Sequence, residues 1–205
     1  MWLLYALLLF GGAAESVTPG RCSCAQALEN GGWCDVHEIG FIGSVEVDSR
    51  LLFDALDAHG HTVDPATFDC PSCREAIATA GFCATHRIGF FEGKAYFSRL
   101  SYSLARGRRL VPAAVECPTC RRHMAARGWC ATCGVGMVGN VAIHDRRDFD
   151  EVDRALSIVE SANRVAARCE HCAMAMVTDT QCPVCGIRYE GGKEAGRVTP
   201  PRKVD

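Results

Sequence analysis

The chain has 205 residues, 14 of them cysteine; aromatics make up 8%, charged residues 22%, and the formal net charge is −2. That length allows one ordinary domain or several very small ones, and units of ~50 residues bury too little apolar surface to stand without disulfides, metals or stacking. The balance excludes a globally basic nucleic-acid footprint, although charge is segregated. Six acids between Glu46 and Asp69 face the single base Arg50, and nine bases between Arg87 and Arg127 face Glu92 and Glu116. Such stretches are expected as solvated faces that attract each other, with an anionic partner as the alternative.

The chain opens on MWLLYALLLFGGAAES. Trp2 to Phe10 are uniformly apolar and the small residues Gly11 to Ala14 follow, so residues 1–14 resemble a secretory signal cut after Ala13 or Ala14. The run is too short for a membrane span, which needs ~20 apolar residues. It points to an extracytoplasmic protein, periplasmic or secreted, with tethering by an uncleaved N-terminus as a variant; without a signal function for this run, the protein is cytoplasmic.

A first unit is expected over 22–69. It starts with CSCAQALENGGWCDVH, continues through two apolar runs around a turn at Gly43-Ser44, and enters a helix at Ser49. A second unit, 70–116, repeats this outline with CPSCREAIATAGFCATH, a turn at Glu92-Gly93 and a helix start at Ser98. A third, 117–168, has CPTCRRHMAARGWCATC, a turn at Gly139-Asn140 and a helix from Asp145 to Asp148 onward. The Ser and Asp residues are N-caps, and Phe149, Val152, Leu156 and Val159 make one apolar helix face for the core. A fourth stretch, CEHCAMAMVTDTQCPVC, forms a terminal half-unit over 169–188, and residues 189–205, polar and rich in Gly and Pro, read as a disordered tail. In all four, the second cysteine is followed by nine residues, a third cysteine, two residues and then Cys or His.

The histidines decide between metal and disulfide. Each close pair is expected on a tight turn, and two pairs complete a tetrahedron for Zn²⁺, which accepts thiolate sulfur and imidazole nitrogen alike. His37 and His86 stand where Cys133 and Cys185 stand in the later units. Histidine replaces cysteine at a metal but forms no disulfide, so a disulfide scheme leaves an odd cysteine in each of the first two units. The secretory reading favours disulfides; the four aligned motifs, two with histidine, favour zinc or a similar thiophilic metal.

On the knuckles CPSC, CPTC, CATCG and CPVCG, the chain resembles the zinc-ribbon families, in particular tandem double zinc ribbons. The resemblance covers about seventeen residues per unit and implies closed structural zinc sites. Its ligands would be Cys70, Cys73, Cys83 and His86 for the second site, Cys117, Cys120, Cys130 and Cys133 for the third, and Cys169, Cys172, Cys182 and Cys185 for the fourth. The first site departs from the pattern, because CSC has one intervening residue. Cys24, Cys34 and His37 form its core, and Cys22 is either the fourth ligand or a free thiol. The fold expected is therefore a set of small metal-stabilised α+β repeats, each a knuckle pair followed by a β-hairpin and a helix, with up to four Zn²⁺ per chain.

Four soft ligands per site leave no open position for substrate, whereas catalytic zinc keeps one. The chain has no H-E-x-x-H, G-x-S-x-G, P-loop or dinucleotide fingerprint, and no C-x-x-C-H for haem. A non-enzymatic, exported structural or protein-interaction module is expected, with another protein as partner. The alternative is a zinc or copper buffer or transfer protein. A thiol–disulfide oxidoreductase, and a nucleic-acid binder using Arg99, Arg106, Arg108, Arg109, Arg121, Arg122 and Arg127, rank lower. Trp33, Phe82 and Trp129, each just before a third ligand, are expected to pack over the metal or to be presented at the surface.

Overall fold

The computed structural model describes residues 22–56 and 59–197. The apolar run at 1–14 and the last part of the expected tail, 198–205, lie outside the described residues. The first unit runs α1 (Cys24–Asn30), β1 (Trp33–Cys34), β2 (Ile39–Ile42), β3 (Val45–Val47) and α2 (Arg50–Leu56). After a connection of β4 (His61–Thr62) and a 3₁₀ turn at Pro65–Thr67, the second runs α3 (Pro71–Ala78), β5 (Phe82–Cys83), β6 (Ile88–Phe91), β7 (Lys94–Tyr96) and α4 (Arg99–Arg106). After a like connection of β8 (Arg108–Arg109) and a 3₁₀ turn at Pro112–Ala114, the third runs α5 (Pro118–Ala126), β9 (Gly128–Cys130), β10 (Val135–Val138), β11 (Val141–Ile143) and α6 (Arg146–Ala166). The chain closes with α7 (Glu170–Thr178), β12 (Ile187–Glu190) and β13 (Lys193–Arg197).

The result is a small α+β protein with several small antiparallel sheets. Strand orders are β1-β2-β3, β4-β7-β6-β5, β8-β11-β10-β9 and β12-β13. The strands β4 and β8 belong to the connections between units, yet each pairs with the hairpin that follows. His61 lies opposite Ala95 and Arg109 opposite Val141. Each connection thereby extends the next sheet by one strand.

Two expectations are corrected. The first cysteine pair of each unit lies at the start of a helix, not on a tight turn of its own. Cys70, Cys117 and Cys169 are N-caps of α3, α5 and α7, and Pro71 and Pro118 occupy the first helical turn, where a missing N–H costs nothing. The nine-residue spacer is thus mostly helix. The second correction concerns the tail: residues 189–197, expected to be disordered, form most of the β12–β13 hairpin, closed at Gly191 and Gly192. Tyr189 explains why, since it is buried on β12 and carries the polar strand residues with it.

Left-handed backbone recurs at fixed distances from each second cysteine. Seven residues on, Gly31, Ala80, Arg127 and Asp179 have positive φ where the first helix ends. Fourteen residues on, directly after the fourth ligand, Glu38, Arg87, Gly134 and Gly186 do so. Nineteen residues on, the hairpin turns use Gly43, Glu92, Gly139 and Gly191. All three positions carry a side chain in at least one unit, at a cost, since L-residues are disfavoured there by about 1–2 kcal/mol.

The expected caps are present: Ser49 Oγ accepts from Leu52 N–H at 3.2 Å, Ser98 Oγ from Ser101 N–H at 3.5 Å and Asp145 from Asp148 N–H at 2.8 Å. Helix α6, 21 residues long, is the axis of the main core. Its stripe of Phe149, Val152, Leu156 and Val159 is buried, extended by Ala162. One apolar cluster joins that stripe to Ile42 and Val47 of the first sheet, Leu52 and Phe53 of α2, Leu100 of α4, Val138 and Val141 of the third sheet, and Ala173 and Met176 of α7. Polar ties reinforce it. Asp48 N–H donates to Asn163 Oδ1 at 2.9 Å, and Ser49 Oγ donates to Glu170 at 2.7 Å.

Candidate metal centres

Four groups of side chains converge: Cys22, Cys24, Cys34 and His37 (site 1); Cys70, Cys73, Cys83 and His86 (site 2); Cys117, Cys120, Cys130 and Cys133 (site 3); Cys169, Cys172, Cys182 and Cys185 (site 4). Within each, the four ligand atoms lie within 4.8 Å of one another. All sixteen residues expected as ligands are brought together in this way, Cys22 included. The helix start delivers the first pair, with Cys22 just ahead of α1; in sites 1–3 the third ligand ends a strand (Cys34, Cys83, Cys130) and the fourth lies in the turn that follows.

The separations suit a tetrahedral ion. A metal–sulfur bond of ~2.3 Å gives tetrahedral edges of about 3.8 Å between sulfurs, and about 3.5 Å between sulfur and nitrogen. Cys117 and Cys130 Sγ are 3.9 Å apart, Cys169 and Cys182 3.9 Å, and Cys185 and Cys169 3.7 Å. Nδ1 of His86 lies 3.3 Å from Cys73 Sγ and 3.7 Å from Cys83 Sγ. Nδ1 of His37 lies 3.0, 3.4 and 3.6 Å from the sulfurs of Cys24, Cys22 and Cys34. All fourteen cysteines are free thiols, whereas a disulfide requires ~2.05 Å. The donor set, sulfur with one optional imidazole, is that of a thiophilic ion.

The thiols of each group shift in opposite directions. The N–H of Cys120 at the start of α5 lowers the Cys117 thiol to about 6, and that of Cys73 lowers Cys70 likewise. Burial opposes ionisation of Cys34, but the His37 N–H and neighbouring donors hold it down to about 5. The neighbouring thiols move the other way. Donating to the sulfurs of Cys22 and Cys34 pushes the Cys24 thiol up to about 12, burial pushes Cys73 up to about 12, and burial also raises Cys120 and Cys172. One thiolate forms readily in such a group and discourages the next; a divalent cation reverses that order.

The aromatics before the third ligand pack inward. Trp33 meets Phe53 at 5.3 Å between ring centres, Phe82 meets Tyr102 at 5.6 Å and Trp129 meets Phe149 at 5.8 Å. An arginine from the following helix caps each outer face: Arg50 over Trp33, Arg99 over Phe82, Arg146 over Trp129, at 4.9–5.1 Å. Sequence reasoning missed these partners. Their signal is a constant offset, the arginine 26 and the ring 29 residues after each second cysteine. Site 4 has Gln181 in place of the aromatic and no following helix among the described residues.

The other candidates are engaged or apart. Arg99 pairs with Glu151 at 3.1 Å. Arg106 lies over Tyr102, Arg109 donates to the Glu29 carbonyl, Arg121 to that of Glu116, and Arg122 to Thr119. Arg127 is held by Asp153 and Glu160 at 2.7 and 2.8 Å. His171, between two ligands, is exposed. A cleft of about 260 Å³, lined by Glu29, His59, Lys94 and Arg109 among others, includes none of the sixteen ligands. No helix among the described residues is long and apolar enough to cross a membrane. No protein-family model, no curated protein and no solved structure matches the chain.

Proposed function

We propose that the protein is a non-enzymatic, exported zinc-binding scaffold built of zinc-ribbon-like repeats, which presents its surface to another protein. The observation that carries this reading is the set of four clusters with separations of tetrahedral edges. Bound Zn²⁺ would neutralise the thiolates and cross-link each helix start to its strand turn. Structural zinc contributes on the order of 10 kcal/mol per site, which offsets what such short strands and helices fail to bury. Complete ligand sets favour a structural role over catalysis. Val36 and Val184, exposed on the turns carrying the second ligand pair of sites 1 and 4, supply apolar surface for a partner. A nucleic-acid role is disfavoured because most of the arginines that would serve it already have internal partners. The export element rests on the sequence of residues 1–14.

The test is elemental analysis of protein purified from its native compartment without added metal. Four zinc per chain supports the reading. Thiol-free protein without metal sinks it, and cytoplasmic recovery of the intact chain sinks the export element alone.

A further inference from the structure

The four sites differ in how far they are sunk into the fold, and the difference is graded along the chain. In site 4, Cys172 and Cys182 are buried and belong to the main apolar cluster, together with Leu156 and Val159 of α6. In sites 2 and 3, two sulfurs are buried within smaller clusters of their own. In site 1, Cys34 is the one buried ligand: Cys24 is half-buried, and Cys22 and His37 are exposed. Its apolar support consists of Ala27, Cys34 and Phe41, with Cys24 and Ile39 at the edge. Cys22 also precedes α1 rather than capping it, because CSC is one residue short, and its sulfur accepts the N–H of Cys24 at 3.4 Å.

We propose that site 1 is an exchange site, where a thiophilic divalent ion passes between the protein and thiol ligands, while site 4 holds its ion as part of the core. The proposal rests on the metal-binding reading above and restricts exchange to one end of the chain. Exchange at a thiolate-bound ion needs room for an incoming sulfur and freedom for one ligand to leave. Cys22 and His37 provide both. An incoming thiol donates its sulfur lone pair as the Cys22 thiolate departs, and the proton lost by the first is taken up by the second, with no oxidation of either. Exchange at site 4 requires Cys172 or Cys182 to leave the same cluster that holds α6, so release there is coupled to opening of the core.

The experiment challenges the zinc-loaded full chain with a chromophoric chelator plus 2-mercaptoethanol, counts retained ions by native mass spectrometry, and follows amide exchange in α6. One of the four equivalents is expected to leave faster by on the order of 10-fold, with α6 protection unchanged. Cys22→Ser is expected to abolish that fast phase and retain three slow ions, and Cys172→Ser to lower α6 protection. A single rate for all four ions overturns the proposal. So does a fast phase that persists in Cys22→Ser, or a fast loss that already exposes α6 in the unaltered chain. A chain that binds no zinc overturns the metal-binding reading itself, an outcome distinct from four ions leaving together.

Discussion

The backbone of Gly89 lies against the ring of Tyr102, so closely that a Cβ at residue 89 would collide with Cγ and Cδ2 of that ring. The same relationship joins Gly40 to Phe53 and Gly136 to Phe149. In each case a glycine on the strand after the fourth ligand admits a ring from the following helix, and that ring also meets the aromatic before the third ligand. A metal centre and its helix are thereby connected through one ring. Gly89→Ala forces the Tyr102 ring outward and is expected to cost about 1–3 kcal/mol, read as a lower denaturant midpoint of the zinc-loaded protein. In a Tyr102→Leu background the same change is expected to cost less by at least about 0.5 kcal/mol; strict additivity contradicts the packing account.

The position after the fourth ligand offers a cleaner test of backbone strain. Gly134 has φ +61 and a Cβ there would meet nothing within 4 Å. Gly134→Ala is therefore expected to cost about 1 kcal/mol through the left-handed conformation alone. Arg87 already adopts φ 57 with a side chain, so Arg87→Gly is expected to be neutral or stabilising by up to about 1 kcal/mol, unfolded-state entropy offsetting part of the relief. Chemical denaturation of both variants at saturating zinc checks the opposite signs.

Arg127 braces the third centre to α6. Its side chain is 13% exposed, and it donates to Asp153, Glu160 and Ser157 from a left-handed residue at the end of α5. Burial works against its charge, but the two carboxylates more than compensate and raise its pKa. The acids are 48% and 41% exposed, so solvent screens both pairs, and Arg127→Met is expected to cost about 1–2 kcal/mol. Raising salt should shrink the gap between variant and parent. A gap unchanged by salt assigns the loss to packing.

Zinc loading is expected to be opposed by acid. In the metal-free clusters Cys24 and Cys73 titrate near 12, so at neutral pH they carry protons that an incoming ion must expel. Lowering the pH therefore favours the proton over the metal, by up to about tenfold per unit for each proton displaced. Adding zinc to metal-free protein in weak buffer should acidify the solution. Circular dichroism should show helix loss on acidification at a pH that rises when a chelator is present. Zinc uptake without proton release would contradict the thiol protonation described above.

How much of this was legible in the sequence follows from what each feature depends on. The candidate ligands could be read directly, all but Cys22, which the short CSC left as ligand or free thiol, because a metal site demands particular atoms at fixed spacing, and histidine at the fourth position in His37 and His86 favours a metal over a disulfide. The N-caps and the α6 stripe were equally readable, being local in the chain. The helix between the cysteine pairs was not, since nine residues holding two turns of helix, a left-handed cap and a strand start show no clear period. The β12–β13 hairpin was hidden by its polar composition; only the burial of Tyr189 beside Cys172 gives those residues a place. The ranking of the sites was decided by tertiary structure alone. Four similar motifs differ in exposure because α6 and α7 bury site 4 in the main core, while the end carrying Cys22 has only a small apolar cluster beneath it.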